Sequence, residues 1–341
     1  MLSSIHSKFI INKINQYIND NNNFSIFETT NSKNIQPFSN NLNLTGIVNL
    51  EIVNNIRRIN KFHEAVNKKI ENGGIYVSCG ETLLERNKRI RAKTKFGFVN
   101  SFLFIDFIYK RVIPKLPILK QAYFAITKGH NRVISKAEIL GRLISCGFEI
   151  LEHFEYKNLL YVISKKVNSP EFNMEVSYGP FFRMNRIGYK GEIIGVYKLR
   201  TMYPYSEYCQ SLITKENNLD KTGKISNDFR VTHWGKIFRK FWIDEFPMFI
   251  NFFKRELNIV GVRPLSKNYF IRYPKELQEL RIKIKPGLVP PYYADMPSNF
   301  DEILESERHY VLKKLEKPIR TDIIYFYKAF INIVFKGARS R

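Results

Sequence analysis

Residues 165–180 read KKVNSPEFNMEVSYGP, a polar run interrupted by Pro170 and Pro180. A proline inside a helix removes a backbone hydrogen bond and clashes with the preceding turn, and a central strand tolerates it no better. No apolar helix can be placed here, so the chain is expected to fold as two parts. Its 341 residues suffice for two cores. The expected division is an N-terminal segment and polar connection over 1–45, an α/β module over 46–166, a linker over 167–178 and a catalytic domain over 179–341.

The N-terminal half opens on a weakly amphipathic segment, 5–18, followed by an Asn- and Ser-rich stretch, 19–45, that reads as irregular connection. Ile52, Ile56, Ile59, Phe62, Val66 and Ile70 have helical spacing, so 51–71 is expected to be a helix. Gly73-Gly74 then punctuate before a strand at 75–79. SKAEILGRLISCGF, 135–148, opens with a Ser135-to-Glu138 capping box and leads into a hairpin expected over 149–156 and 158–166.

The sequence of helix, Gly-Gly turn, strand, helix ending in Gly-Phe and terminal hairpin loosely resembles the later half of a class I methyltransferase domain. Gly46, Gly73, Gly74 and Gly80 do not form the glycine-rich loop that approaches S-adenosylmethionine. A degenerate module that docks, scaffolds or regulates is therefore expected.

Chemistry concentrates between Lys198 and Pro264. The adjacent acids Asp244-Glu245 lie among KLRTM (198–202), DFRVTHWGKIFRK (228–240) and IVGVRP (259–264). Arg200, Arg230, Arg239 and Arg263 offer planar donors to phosphate oxygens, and Lys198 a compact point charge. Pro247 suits the first position of a helix over 247–254, so the acids precede a helix N-terminus, which favours anions. These residues alone allow two readings, phosphoryl chemistry or a capping acid pair beside surface cations.

The order of GPFFRMNRIGYKGEIIGVYKLRTM (179–202), DFRVTHWGKIFRKFWIDEFP (228–247), NIVGVRP (258–264) and KPGL (285–288) resembles the bacterial sugar transferases, the monotopic polyprenyl-phosphate phosphoglycosyl transferases. The likeness covers about half the chain. It implies transfer of a sugar-1-phosphate from a nucleotide sugar, expected to be a UDP-sugar, to polyprenyl phosphate, initiating surface polysaccharide or glycoconjugate synthesis. By the same resemblance Asp244 is the nucleophile and Glu245 the Mg2+ ligand. Arg263 is a phosphate contact, and Lys198, Arg200, Arg230 and Arg239 are further phosphate-binding positions. Asp228, Pro247 and Pro264 support the site. The implied fold is an α/β N-terminal module followed by an α+β phosphoglycosyl transferase domain, largely helical with a short sheet.

Departures bear on substrate identity. Met248 stands where the family usually has Gln, and Arg255-Glu256-Leu257-Asn258 replace Gly-Asp-Met-Ser. Val262 replaces the first proline of Pro-Arg-Pro, and Val289-Pro290 follow KPGL in place of Thr-Gly. The family's re-entrant membrane helix has no counterpart in 165–180. Membrane contact is expected through a membrane partner protein or through one of two segments, the aromatic, basic-ended 321–341 acting as an interfacial helix and the apolar stretch 96–120, with an ordinary buried face as the alternative for both. The apolar stretch 96–120 carries Asp106, Lys110, Arg111 and two prolines, is too charged to span a bilayer, and is expected to form an ordinary buried face.

A formal charge of +24 implies an anionic partner: a membrane surface, a nucleotide sugar, polyprenyl phosphate or nucleic acid. Nucleic acid is not expected, since no zinc-finger spacing or RNA-binding aromatic motif accompanies the charge. Cys79, Cys146 and Cys209 are widely spaced and fit a reducing compartment. The first 24 residues, without a continuous apolar core or a small-residue cleavage site, are not expected to act as a secretory signal. A peripheral or monotopic protein on the cytoplasmic face of the inner membrane is expected, and a non-catalytic membrane-surface adaptor is the contrasting reading.

Overall fold

A computed structural model describes residues 8–17, 24–35, 44–94, 97–116, 118–171, 178–216 and 228–338. They form two compact units. One comprises the described residues through 171 together with Met202–Arg230, the other residues 178–201 together with Val231 onward. The division therefore differs from a single cut at 167–178, because 202–230 is grouped with the first unit. Residues 172–177 of that linker and 217–227 lie outside the described residues.

The first unit is built on a mixed sheet in the order β1-β2-β3-β5-β4. Strands β1 (Phe24–Phe27), β2 (Leu44–Ile52) and β3 (Ile70–Gly80) are parallel. The hairpin β4 (Phe148–Tyr156) and β5 (Leu159–Lys166) adds antiparallel through β5. Around the sheet run α1 (Lys8–Asn15), α2 (Ile59–Lys69), α3 (Leu83–Lys93), α4 (Val99–Phe107), α5 (Leu119–Thr127), α6 (Lys136–Ser145) and α7 (Gln210–Glu216).

Strand side chains alternate between two faces, and here both are covered. Ile47, Tyr76, Leu160 and Val162 pack with Phe62 and Val66 of α2 and Leu140 and Leu143 of α6. Val48, Leu50, Val77, Tyr161 and Ile163 pack with Ile14 of α1.

Several elements differ from the sequence reading. The stretch expected to be irregular, 19–45, contains β1 and the start of β2. The helix expected over 51–71 begins at Ile59, because 51–52 complete β2 and 53–55 form a 3-10 turn. Buried Asn54 explains the break. Its amide donates to the Glu81 and Arg132 carbonyls, both at 2.8 Å, and its oxygen accepts from the Glu81 N–H at 2.7 Å, bonds that a helical turn would not provide. Gly73-Gly74 fall inside β3, at the register shift between Leu44↔Ile70 and Gly46↔Ile75. The Ser135–Glu138 capping box forms as expected, and the hairpin falls within about one residue of its expected bounds.

Residues 202–216 pack on α6. Cys209 and Ile213 join its core cluster, the Arg142 guanidinium lies 4.2 Å from the Tyr205 ring centroid, and a Cβ on Gly141 would sit 2.2 Å from the Tyr205 carbonyl oxygen. Only glycine permits that approach.

The expectation of a buried face at 96–120 is overturned. Among the described residues, α4 buries none of its side chains. The charges that argued for burial are the attachment points: Arg86 holds Asp106 through two 2.7 Å bonds, and Arg111 donates to Glu138 at 2.7 Å and to the Val133 carbonyl at 2.9 Å. Apolar side chains face outward instead. Phe96 and Pro117 lie outside the described residues.

In the second unit, β6 (Phe181–Ile187) and β7 (Ile193–Leu199) form an antiparallel hairpin, with α8 (His233–Lys240) and α9 (Met248–Phe253) following. Strand β8 (Asn258–Val260) pairs in parallel with β9 (Gly287–Val289). Helices α10 (Lys267–Phe270), α11 (Lys275–Arg281), α12 (Tyr292–Asp295), α13 (Phe300–Glu316) and α14 (Pro318–Phe335) complete it. Val260, Val262, Ile284, Tyr310, Val311 and Tyr325 form one core, and Ile194, Val196, Met248 and Leu257 another.

Helix α14 buries Thr321, Tyr325, Ala329 and Asn332 and exposes Ile319, Ile323, Phe326, Phe330 and Val334. Its outward stripe is thus more apolar than its buried one. The basic end expected for this helix includes Arg339 and Arg341, which lie outside the described residues. Phe229, Trp234, Phe238, Phe241, Trp242, Phe246, Phe249, Phe252 and Phe253 make the stretch 229–253 densely aromatic, which by itself favours packing between helices. Phe229 and Trp242 do pack against cores, whereas Trp234, Phe241, Phe246, Phe249 and Phe253 are exposed. Helices as short as α8 and α9 present only one narrow stripe inward, and Gly235, Met248 and Asn251 occupy it. No helix among the described residues is long and apolar enough to cross a membrane.

Candidate active site

Asp244 and Glu245 sit in a single 3-10 turn, Ile243–Glu245, between α8 and α9. Trp242 enters the turn in the left-handed region, at φ 54°. That conformation costs a residue with a side chain roughly 1–2 kcal/mol. It is retained by neighbours: the Trp242 indole N–H donates to the Tyr293 hydroxyl at 3.1 Å, and the two rings meet edge to face. Pro247 is buried immediately ahead of α9, so the turn cannot extend upstream as regular helix.

Lys198, near the end of β7, donates to Glu245 Oε1 at 2.6 Å. The strand beneath it is stapled by fully buried Asn251 of α9. The Asn251 oxygen accepts from the Tyr197 N–H at 3.0 Å, and its amide donates to the Gly195 carbonyl at 2.7 Å and to Glu256 at 2.6 Å. Asn251→Ala is expected to leave these partners unmatched and destabilise the second unit by about 3 kcal/mol. Denaturant unfolding monitored at its tryptophans measures this, and a loss under about 0.5 kcal/mol would contradict the staple.

Thr232 caps α8, its hydroxyl accepting from the Gly235 N–H at 2.8 Å, while its own N–H donates to the Thr201 carbonyl at 2.9 Å. A Cβ on Gly235 would lie 2.1 Å from that carbonyl oxygen, so glycine is what lets α8 seat here. From the last turn of α8, Arg239 donates to the Thr201 hydroxyl at 3.0 Å.

Electrostatics link these groups. Burial pushes the Asp244 carboxyl above the usual carboxylate range and the charge of Glu245 pushes the same way, while Lys198 and Arg239 pull it back. Burial disfavours the charge of Arg263, but Tyr292, Glu245 and Tyr293 outweigh it and leave the guanidinium raised. Tyr292 is pushed well up by burial. Arg186, on β6, is lowered by burial and by the charge of Arg263. Arg263 follows β8, ahead of buried Pro264, and its carbonyl accepts from Arg281 at 2.5 Å. Arg281 in turn forms a buried ion pair with Glu307 of α13.

The second unit thus sets Glu245, Lys198 and Arg239 in electrostatic reach of Asp244, and Lys198 and Arg263 in reach of Glu245. Arg200 is used differently: its Nε donates to the Gly179 carbonyl at 3.0 Å and its guanidinium lies over Tyr178 and Phe182. Asp228 and Arg230 belong to the first unit. There Arg230 forks onto Asp228 and donates to Gln210 at 2.5 Å. Among the described residues no group of three or more His, Cys, Asp or Glu side chains gathers as a metal cage. Mg2+ usually takes only one or two carboxylates and completes its shell with water and substrate phosphate, and adjacent Asp244 and Glu245 suit that habit.

Sequence reading did not single out Arg186, Asn251, Tyr292, Tyr293 or Arg281. A double proline before Tyr292-Tyr293 signals a helix start, but nothing local ties that helix to Trp242 and Arg263.

Residues 171–336 match the family described as bacterial sugar transferase. The galactosyl transferase CpsE of Streptococcus agalactiae is 34% identical over 140 residues, which is 39% of this chain and 30% of that protein. The uncharacterized sugar transferase EpsL of Bacillus subtilis is 33% identical over 127 residues, 37% of this chain and 52% of that protein. The UDP-glucose:undecaprenyl-phosphate glucose-1-phosphate transferase of Escherichia coli is 32% identical over 181 residues, 52% of this chain and 33% of that protein. The chain therefore spans between about a third and a half of the length of these relatives. An O-methyltransferase family protein from Burkholderia thailandensis matches at a TM-score of 0.24 and 10% identity, over 41% of this chain and 34% of that one. A likeness of that size carries no argument about the first unit. The matched region, just under half of the chain, contains the acid pair, the cations around it and the helices that hold them, and it is through residues 171–336 that the chain is similar to the bacterial sugar transferases.

Proposed function

We propose that this chain transfers a sugar-1-phosphate from a UDP-sugar to polyprenyl phosphate through a phospho-aspartyl intermediate, as the initiating step of a surface polysaccharide or glycoconjugate. An Asp244 carboxylate oxygen attacks the sugar-bearing phosphorus, and as that P–O bond forms the bond to UMP breaks and UMP leaves with the electron pair. A phosphate oxygen of the polyprenyl acceptor then attacks the same phosphorus. The aspartyl bond breaks, the carboxylate is regenerated and a polyprenyl diphosphate sugar is released.

The observation that carries this reading is the turn holding Asp244 and Glu245 beside Lys198, with Arg239 acting on Asp244 and Arg263 interacting with Glu245. Negative charge spreads over the phosphoryl oxygens in the transition state, and cations fixed in a partly desolvated site stabilise it. Mg2+ held by Glu245 supplies further neutralisation of the diphosphate when bound. The undecaprenyl-phosphate transfer in the name of the Escherichia coli relative supports a polyprenyl acceptor. The outward apolar stripe of α14 supports interfacial attachment on the cytoplasmic face of the inner membrane, with a membrane partner protein as the alternative route.

Protein reconstituted with polyprenyl phosphate and offered a panel of nucleotide sugars is expected to release UMP and form a lipid-linked product in Mg2+, with one sugar preferred. Vesicle binding with no nucleotide consumed from any sugar would reject this function in favour of a non-catalytic adaptor.

A further inference from the structure

Helices α4 and α5 of the first unit turn their apolar side chains outward. Phe98, Phe104, Ile105, Ile118 and Ile126 are 76, 65, 63, 89 and 75% exposed. Adjacent positions on a helix point about 100° apart, so exposed Phe104 and Ile105 give α4 an outward apolar arc at least that wide. A broad outward apolar arc of this kind suits the acyl boundary of a bilayer. Each helix has nine residues, about 13 Å, which is too short to span a bilayer but enough to lie in its boundary.

Charge identifies the occupant further. Between residues 87 and 130 there are ten lysines and arginines and one acidic residue, Asp106. Asp106 is held by Arg86 at the root of the excursion. Arg91, Lys93, Lys115, Lys120 and Lys128, which flank the apolar side chains along the chain, are exposed. Outward aromatic and aliphatic groups flanked by cations suit anionic headgroups over acyl chains. We infer that α4 and α5 seat in the boundary of an anionic lipid bilayer, giving the first unit its own membrane contact. This goes beyond the transferase reaction and does not depend on it, because lipid partition is measured without a nucleotide sugar.

Cys79, Cys146 and Cys209 are buried, so single surface cysteines can be labelled selectively in the full chain. An environment-sensitive fluorophore is placed at Phe104→Cys, at Ile118→Cys and, as control, at Asn72→Cys in β3. Vesicles of phosphatidylcholine are compared with vesicles containing phosphatidylglycerol. The expected result is a blue shift and quenching by lipid-borne quencher at 104 and 118 with anionic vesicles, and none at 72. Phe104→Glu combined with Ile118→Glu is expected to weaken partition at least about tenfold. The inference is overturned if vesicles bind while both labels stay in water, or if no partition occurs. It is equally overturned if both labels shift without lipid as the mass doubles, which assigns the face to a second copy of the chain.

Discussion

Asp244→Asn is expected to lower UMP release by about 10^4-fold or more, the scale on which removal of a covalent nucleophile acts when the rest of a site survives. The amide is nearly isosteric but lacks the anionic oxygen that must bond to phosphorus. Its neighbours should keep their places, because Lys198 is held by Glu245 and not by Asp244. Wild-type protein quenched during turnover should carry a phosphosugar on Asp244, and the variant none. Turnover by Asp244→Asn at the wild-type rate, in protein purified free of contaminating transferase, would remove Asp244 from the nucleophile's role. The variant should partition onto anionic vesicles like wild type, so loss of chemistry and loss of lipid contact are read separately.

Arg281→Met is expected to destabilise the second unit by about 3–5 kcal/mol, because it strands the Glu307 carboxylate in the interior without its partner. The same change removes the donor to the Arg263 carbonyl, the bond that fixes where the Arg263 backbone sits. Pairing it with Glu307→Leu separates the two effects. A buried ion pair replaced by apolar groups of similar volume is often neutral or stabilising, so the double variant should recover most of its unfolding free energy. UMP release should remain impaired, chiefly through a raised KM for the nucleotide sugar, because Arg263 has lost its positioning donor. Full recovery of activity along with stability would make Arg281 a purely structural residue. A double variant as unstable as Arg281→Met alone would show that shape, and not the stranded charge, governs this core.

Local patterns were legible wherever a residue's role is set by its chain neighbours. The Ser135–Glu138 capping box and the hairpin at 148–166 follow from caps, turns and periodicity. Strand β2 was not recognised, because a strand covered on both faces has no alternation to detect; its Ile47, Val48, Asn49 and Leu50 are all buried. The helix expected from Glu51 gave way to Asn54, whose partners at Glu81 and Arg132 are remote in sequence. At the site, Asp244, Glu245, Lys198, Arg239 and Arg263 were all picked out by type and spacing. The contacts that position them were not, since Asn251, Tyr293 and Arg281 act through partners on other elements.

The sequence by itself determined which acids and cations the chain offers, their order along it, and the polar, proline-interrupted run at 165–180. Tertiary structure alone decided which charges meet and which surfaces stay open. It spent Arg230 on Asp228 in the first unit, set Lys198 on Glu245 in the second, and turned apolar side chains of α4 and α5 outward while holding Asp106 and burying Arg111 with remote partners. Spacing constrains what a segment can bury, but whether it does so depends on which charges and core faces other segments bring to it.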